Sequence, residues 1–239
     1  MKPSENKLIV LSLQFYSYPD EVGGAWKFTY EVNKRLVERG HEVHLLTCKP
    51  REDMPDEETI DGIRYYRIGA RESKSVVALW RELRKRVNFI LDRHTVSLVH
   101  AHNPLVEFLA LLNPGLWPIP KVYHFHSLWH DEEKINRCAE LAPEKTVSGA
   151  LPLKLRALLG VIRIIEWTCF YTARSILFLS EYSKSKLLDF YPFAKPELTV
   201  IPGGVDVERF RPMAAGLTPA ECRRKLGLPE DGMLFLTVR

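Results

Sequence analysis

The possible folds of this chain are constrained most by a regular alternation between short apolar segments, typical of β-strands, and longer segments with helical periodicity. Residues 7–15 form an apolar run that is followed by a Pro-containing loop and a Gly pair. Gly40 then closes a helical pattern whose apolar face holds Ala25, Phe28, Val32 and Leu36. The strand-like HEVHLLT comes directly afterwards, so the opening predicts a β-loop-α-β unit with parallel strands.

The alternation continues along the chain. Asp61 and Gly62 lie between two strand-like segments, and this pair is a strong indication of a β-hairpin. Apolar residues at helical spacing run from Val76 to Ile90, and the later strand-like segments are SLVHAH, KVYHFH, SILFLS and LTVIPG. We therefore predict an α/β fold with a Rossmann-like, doubly wound, mostly parallel sheet that helices cover on both faces.

The periodicity weakens after Asp206, where prolines become frequent. A capped short helix, TPAECRRKLG, follows, and after it comes the apolar run MLFLTV, which is predicted to be a strand. We predict one domain over residues 1–212 and a boundary near Pro212. Residues 213–239 are then expected to be a linker and the truncated start of a second domain.

Composition is that of an ordinary ordered protein, with 46% apolar and 27% charged residues. A net charge of +4 does not require a nucleic acid or a membrane as partner. The four cysteines form no CxxC pair, and the opening residues lack the apolar run of a signal peptide. We therefore expect reduced thiols, a cytoplasmic location and no nucleic-acid partner.

In an open parallel sheet, ligands bind beyond the carboxyl ends of the strands. The residues that follow predicted strands there are Gly23, Gly24, His102, Asn103, His126, Ser180, Glu181, Gly203 and Gly204. Gly23 and Gly24 precede a predicted helix, where unpaired amides favour an anion and glycine lets a phosphate approach the backbone. A tight turn that needs positive φ explains the Gly pair equally well.

The histidines occur as two His-x-His pairs, His100 with His102 and His124 with His126. Residues two apart on a strand share a face, so four imidazoles are expected to converge. Together with His130 and Asp131 they suggest a metal site. We favour buried structural roles for His100 and His124, hydrogen-bonded to neighbours, and expect no metal ligand among these residues. His126 ends its strand and is expected to point into the cleft.

Two segments bear on membrane contact. A basic helix contains Arg81, Arg84, Lys85, Arg86 and Arg93, which is compatible with a peripheral contact to anionic lipid. Glu82 and Asp92 compensate these charges and favour a solvated face. In the segment 151–171, four charged residues disfavour a membrane-spanning helix.

Five fragments, in this order, resemble the family 4 glycosyltransferases, which are group 1 retaining enzymes of the two-domain GT-B fold. The fragments are GGAWKFTYEVNKRLVERGHEVHLLT, SLVHAHNP, VYHFHSLW, SILFLSEYSKSKL and VIPGGVDVERFRP. The resemblance covers nearly the whole chain and implies that it is the N-terminal, acceptor-side half of such an enzyme. The sequence departs from the family pattern at Gly203, where Asn is usual, and at His124, where Thr or Val is usual.

The resemblance also implies roles for individual residues. Gly23 and Gly24 would border the diphosphate of a nucleotide-sugar donor, and His126 would contact the transferred sugar as the catalytic residue. The acceptor side of the cleft would be lined by His102, Asn103, Ser180 and Glu181. The reaction would need no cofactor and no metal.

In the family, the second domain holds most of the nucleotide sugar. This chain alone is therefore expected to be inactive, with a lipid, polysaccharide or small metabolite as the acceptor of the whole enzyme. Two alternatives remain open: a non-catalytic domain that binds carbohydrate or lipid headgroups, and a His-rich metallohydrolase.

Overall fold

The computed structural model describes residues 7–70, 75–141, 151–192, 196–208 and 218–235. Its strands form one eight-stranded sheet in the order β3-β4-β2-β1-β5-β6-β7-β8. The strands are β1 (Ile9–Leu13), β2 (Glu42–Lys49), β3 (Glu57–Ile60), β4 (Ile63–Ala70), β5 (Leu98–Ala101), β6 (Lys121–Phe125), β7 (Ser175–Phe178) and β8 (Glu197–Val200). The helices are α1 (Gly24–Glu38), α2 (Val76–Leu91), α3 (Pro104–Leu111), α4 (Trp129–Leu141), α5 (Leu153–Thr172), α6 (Glu181–Phe190) and α7 (Pro219–Lys225).

All neighbouring strands are parallel except β3 and β4, which form an antiparallel hairpin. Asp61 and Gly62 both have positive φ, 48° and 79°, as a two-residue type I′ turn requires. The predicted mostly parallel α/β sheet and its hairpin are confirmed.

Apolar side chains pack on both faces of the sheet. On one face, α2 and α3 pack against β1 and β5 through a cluster that includes Leu13, Leu83 and Val106. On the same face, α5 contributes Cys169 and Phe170, which pack beside Tyr123 and Phe125 of β6. On the other face, the cluster under α1 comprises Val10, Tyr30, Val43, Leu45, Ile63 and Tyr65. The sheet is therefore doubly wound, as predicted.

Helix α1 differs from its predicted packing. Its best buried residues are Thr29, Tyr30 and Asn33, whereas the predicted apolar face is only half-buried. The reason is a polar layer under the helix. Gln14 donates to Thr29 Oγ1 at 3.1 Å, and Asn33 donates to Ser12 Oγ at 3.0 Å. Ser12 of β1 and Gln14, which directly follows β1, thus have polar partners on α1.

Helix α1 ends where the sequence predicts. Gly40 has φ +89° and donates its amide to the Val37 carbonyl, while the His41 amide bonds the Leu36 carbonyl. These two bonds form a Schellman motif, which needs a left-handed residue at the position that Gly40 occupies.

The chain divides into two compact units, Met1–Ile201 and Pro202–Arg239. The predicted boundary residue Pro212 lies outside the described residues, so the boundary stays a prediction. In the second unit, α7 begins at a capping box in which Thr218 and Glu221 satisfy each other's backbone amides. Met233 to Phe235, in the predicted last strand, are not in a strand.

Candidate active site at the carboxyl edge of the sheet

The candidate site lies at the carboxyl ends of the three central strands β1, β5 and β6. The chain leaves β1 toward β2 on one side and later adds β5 on the other side, so the strand order reverses at β1. Such a switch point opens a crevice in which α/β proteins bind ligands. The His102 amide donates to the Leu13 carbonyl at 2.9 Å, which holds the ends of β1 and β5 together.

Gly23 and Gly24 follow β1 at this point and begin α1. Gly23 is the N-cap in an extended conformation, with φ −174°, and Gly24 is the first helical residue. Neither has positive φ, so the interpretation of the Gly pair as a left-handed turn is wrong. The helix has no side-chain cap and no acidic residue in its first turn. Its first amides are therefore available to an anion.

The two glycines differ in the space beside them. A Cβ added at Gly23 would lie 2.6 Å from Cε3 of Trp26, whereas a Cβ at Gly24 would meet nothing within 4 Å. Gly23 thus lets Trp26 pack closely, and Gly24 leaves room next to the helix N-terminus.

The loop before the Gly pair is held by an ion pair that the sequence did not predict. Arg67 on β4 donates to both carboxyl oxygens of Asp20, at 2.6 and 2.8 Å, and both side chains are almost fully buried. Arg67 also pairs with Glu58 at 2.8 Å, and Tyr65 donates to the Tyr18 carbonyl at 2.5 Å. Asp20 and Arg67 are 47 residues apart, and no local pattern connects them.

His126 lies at the end of β6 beside α1. Its ring contacts the ring of Phe28 with centroids 5.6 Å apart, and Phe28 is one helical turn from Gly24. The Gly pair and His126 therefore lie at one part of the sheet edge, as predicted. Burial lowers the pKa of His126 to about 4, so at pH 7 the neutral ring can donate one hydrogen bond and accept another.

The other three histidines of the two pairs converge with His126, as the strand pattern predicts. His102, His124 and His126 stack around one point, with ring centroids 5.3–5.7 Å apart, and His102 lies 4.1 Å from His100. Burial lowers the pKa of His100 to about 4 and that of His124 to about 3. All four rings are neutral at pH 7, because burial also holds the pKa of His102 well below its usual value.

The expected hydrogen bonds of His100 and His124 are not found. Both rings are buried, 5% and 4% exposed. Within the described ranges, however, neither ring nitrogen of His124 has a hydrogen-bond partner, and Nε2 of His100 also has none. The prediction of neighbour-bonded core histidines is thus correct for burial and wrong for bonding. Both nitrogens of His102 are also without a described partner.

His130 and Asp131 do not join this histidine cluster. His130 Nδ1 lies 2.6 Å from Glu166 Oε2, and Glu166 also accepts from the Tyr191 hydroxyl at 2.6 Å. Asp131 pairs with Lys186 at 3.0 Å. The buried Glu166 therefore fastens the start of α4 to α5 and α6, a structural network without a sequence signature.

The three remaining predicted site residues lie at helix N-termini. Asn103 caps α3 by accepting from the amides of Leu105 and Val106, and Ser180 caps α6 by accepting from the Ser183 amide. Glu181, the first residue of α6, has a side chain that is 78% exposed. Capping accounts for Asn103 and Ser180. Contact of any of the three with an acceptor stays a prediction.

In the described part of the chain, no helix combines the length and apolarity needed to cross a membrane.

Curated relatives match almost the whole chain. The D-inositol 3-phosphate glycosyltransferase of Kineococcus radiotolerans is 24% identical over 233 residues, covering 91% of this chain and 48% of that protein. The protein of the same name from Thermomonospora curvata is 25% identical over 229 residues, covering 91% and 50%. The chain thus spans about half the length of the curated relatives it matches.

Solved structures share the fold. Sucrose-phosphate synthase from Thermosynechococcus elongatus matches with a TM-score of 0.66 at 16% identity, covering 93% of this chain and 53% of that one. Anabaena HepE in complex with UDP and glucose matches with a TM-score of 0.52 at 15% identity, covering 92% and 50%. The fold is that of GT-B glycosyltransferases, as expected.

The family model Glycosyltransferase Family 4 matches residues 22–209, from the Gly pair of α1 through β8 and beyond. Since this is well over half of the 239 residues, the chain belongs to glycosyltransferase family 4.

Proposed function

We propose that this chain is the acceptor-side domain of a retaining glycosyltransferase, which transfers a sugar from a nucleotide-diphosphate sugar to an acceptor bound at the carboxyl edge of the sheet. The observation that carries the proposal is the meeting of an uncapped helix N-terminus with a neutral histidine. Gly24 begins α1, and Phe28 of the same helix contacts His126.

The two groups suit opposite ends of the reacting bond. Departure of a nucleoside diphosphate develops negative charge, which the free amides of α1 and its dipole stabilise. The transferred sugar passes through a cationic transition state. A neutral His126 can hydrogen-bond a sugar hydroxyl without adding a positive charge to that centre. No cofactor is needed for either contribution.

For the acceptor, the names of the relatives favour a small phosphorylated polyol. These relatives are named for D-inositol 3-phosphate as the molecule they glycosylate. In this chain, His102 and the helix N-termini after β5 and β7 are the candidate acceptor contacts. A panel of phosphorylated and unphosphorylated polyols, lipids and oligosaccharides, offered with each nucleotide sugar, tests this choice.

Gly24 offers a direct test of donor binding in the protein expressed from the complete gene. A methyl group at Gly24 clashes with nothing, so Gly24→Ala leaves the melting temperature nearly unchanged, but it fills the space next to the first amides. We expect the KM for the nucleotide sugar to rise about tenfold or more, because phosphate contact requires close backbone approach.

Gly160→Ala on α5 is the matched control, since its added methyl also meets nothing within 4 Å. It is expected to stabilise the helix by about 0.5–1 kcal/mol and to leave the KM unchanged. An unchanged KM in Gly24→Ala would remove the Gly pair from the donor site.

We also propose a peripheral membrane contact at the cytoplasmic face, through α5 rather than the basic α2. The exposed side of α5 carries Leu153, Leu158, Val161, Ile164, Trp167 and Tyr171, next to Lys154, Arg156 and Arg163. Apolar and basic residues on one helix surface favour anionic bilayers.

Sedimentation with vesicles of anionic and of neutral phospholipid checks the contact. Ile164→Glu is expected to reduce binding to anionic vesicles, whereas Ile135→Glu, at a similarly exposed position on α4, leaves it unchanged. If both variants and the unchanged protein sediment equally with anionic vesicles, α5 is excluded as the contact.

A further inference from the structure

The three histidines His100, His102 and His124 form a group of which the proposed function uses only His102, as a candidate acceptor contact. One ring nitrogen from each lies within 4.8 Å of the others. The three come from adjacent parallel strands, since His100 is on β5, His124 is on β6, and His102 directly follows β5. Strands of a covered sheet hold such side chains in fixed relative positions.

The second observation is the lack of hydrogen bonds in this group. All three side chains are at least nine-tenths buried, at 4–5% exposure. Five of their six ring nitrogens have no hydrogen-bond partner within the described ranges, namely His100 Nε2, both of His102 and both of His124. An unpaired buried polar group costs about 1–3 kcal/mol, so this concentration of lone pairs indicates a missing ligand.

A second group of potential ligands, Glu42, His44 and His94, provides the contrast. There, His44 bonds Tyr66 at 3.2 Å and Glu42 at 3.0 Å, and Glu42 also pairs with Arg64 at 2.7 Å. The ring nitrogens of His44 are therefore occupied, and Arg64 already neutralises the Glu42 carboxylate that a metal ion would need. Of the two groups found in the described ranges, only the first has buried ring nitrogens without a hydrogen-bond partner.

We propose that His100, His102 and His124 bind one divalent transition-metal ion, for which Zn²⁺ fits best. Imidazole nitrogens are preferred zinc ligands, at about 2.0–2.1 Å from the metal. Tetrahedral binding at such bond lengths places the nitrogens about 3.4 Å apart, so the ion would draw the three rings closer than their present spacing of up to 4.8 Å. Three protein ligands leave a fourth position for water. The site does not depend on the proposed sugar transfer.

The test uses the tag-free chain, stripped of metal by a chelator. Zn²⁺ is titrated in competition with a chromophoric chelator, and Co²⁺ is added separately to report nitrogen coordination by its visible absorption. We expect one equivalent of Zn²⁺ to bind and to raise the melting temperature. The single substitutions His100→Asn, His102→Asn and His124→Asn should each weaken binding at least about 100-fold, since loss of an outer partner alone costs 10–100-fold.

His94→Gln, in the contrasting group, is the control and should keep full affinity. Circular dichroism of each metal-free variant shows which of them fold, and any folded one of the three carries the test. The proposal is overturned if the metal-free chain binds no stoichiometric Zn²⁺ at about 10 μM. It is equally overturned if folded variants of the three histidines bind as tightly as the unchanged chain, or if His94→Gln loses binding.

Discussion

At the residue scale, burial decides the charge of several ionisable groups. Glu107 on α3 is fully buried, and neither carboxyl oxygen has a well-formed hydrogen bond within the described ranges. Burial raises its pKa to about 8, although the Cys169 thiol and the Lys121 ammonium act in the opposite direction. The folded protein therefore keeps Glu107 protonated at neutral pH, which its sequence context of apolar helix residues does not reveal.

Glu107 makes stability depend on pH in a predictable direction. Between the ordinary pKa of 4.5 and about 8, the unfolded chain has lost the proton that the folded chain keeps, so stability falls as pH rises. Glu107→Gln removes this loss. We expect the melting temperature of the variant, relative to the unchanged protein, to be higher at pH 8.5 than at pH 5.

Glu38→Gln, at the exposed end of α1, is the control and should show the same difference at both pH values. Equal differences at pH 5 and pH 8.5 in Glu107→Gln would show that this carboxyl is ionised in the folded protein.

At the scale of elements, local patterns predict what local contacts determine. The Asp61-Gly62 hairpin, the end of α1 at Gly40 and the capping box of α7 were all predictable, because each depends on residues within a few positions of one another. The convergence of the histidines was predictable too, since alternate residues of adjacent parallel strands share a face. Pairings across long sequence separations, such as Asp20 with Arg67 or His130 with Glu166, were not.

The Asp20–Arg67 pair is expected to stabilise both the fold and the loop that leads into the Gly pair. Asp20→Ala leaves Arg67 buried with Glu58 as its remaining carboxylate. Breaking a buried pair by removing one partner costs about 3–5 kcal/mol, and Glu58 places this case near the lower end. Urea denaturation measures the loss.

The exposed pair Arg51–Asp53 supplies the comparison, because its side chains are 68% and 75% exposed. Asp53→Ala should change the free energy of unfolding by less than about 1 kcal/mol. A similar loss of unfolding free energy in the two variants would mean that burial of the Asp20–Arg67 pair contributes nothing to stability.

At the scale of the whole molecule, the sheet order brings the ends of β1, β5 and β6 together and so creates the candidate site. The alternation of strands and helices predicted a mostly parallel sheet with its polar strand ends along one edge, but not the strand order. It did not predict that the site histidines would lack hydrogen bonds, because bonding depends on ring positions that spacing does not fix. The packing of polar residues under α1 was also missed, because the helical periodicity used for the prediction counts only apolar positions.

If this domain binds the acceptor and a second domain holds most of the donor, as we propose, the chain alone should be inactive. Residues 1–239 are expected to fold, and to transfer no measurable sugar from any nucleotide sugar, because the resemblance to family 4 implies that a second domain holds most of the donor. A radiolabelled transfer assay with the purified chain measures this. Robust transfer by the chain would contradict the proposed division.

The central claim is that His126 and the N-terminus of α1 face the reacting bond together. The most direct measurement is kcat/KM for sugar transfer by the protein of the complete gene. His126→Ala is compared with the control His94→Asn, which changes a histidine that precedes β5 and lies outside the candidate site. We predict a loss of about 100- to 1,000-fold for His126→Ala, typical of removing a hydrogen bond made in the transition state, and little change for the control. Full activity in His126→Ala would contradict the account.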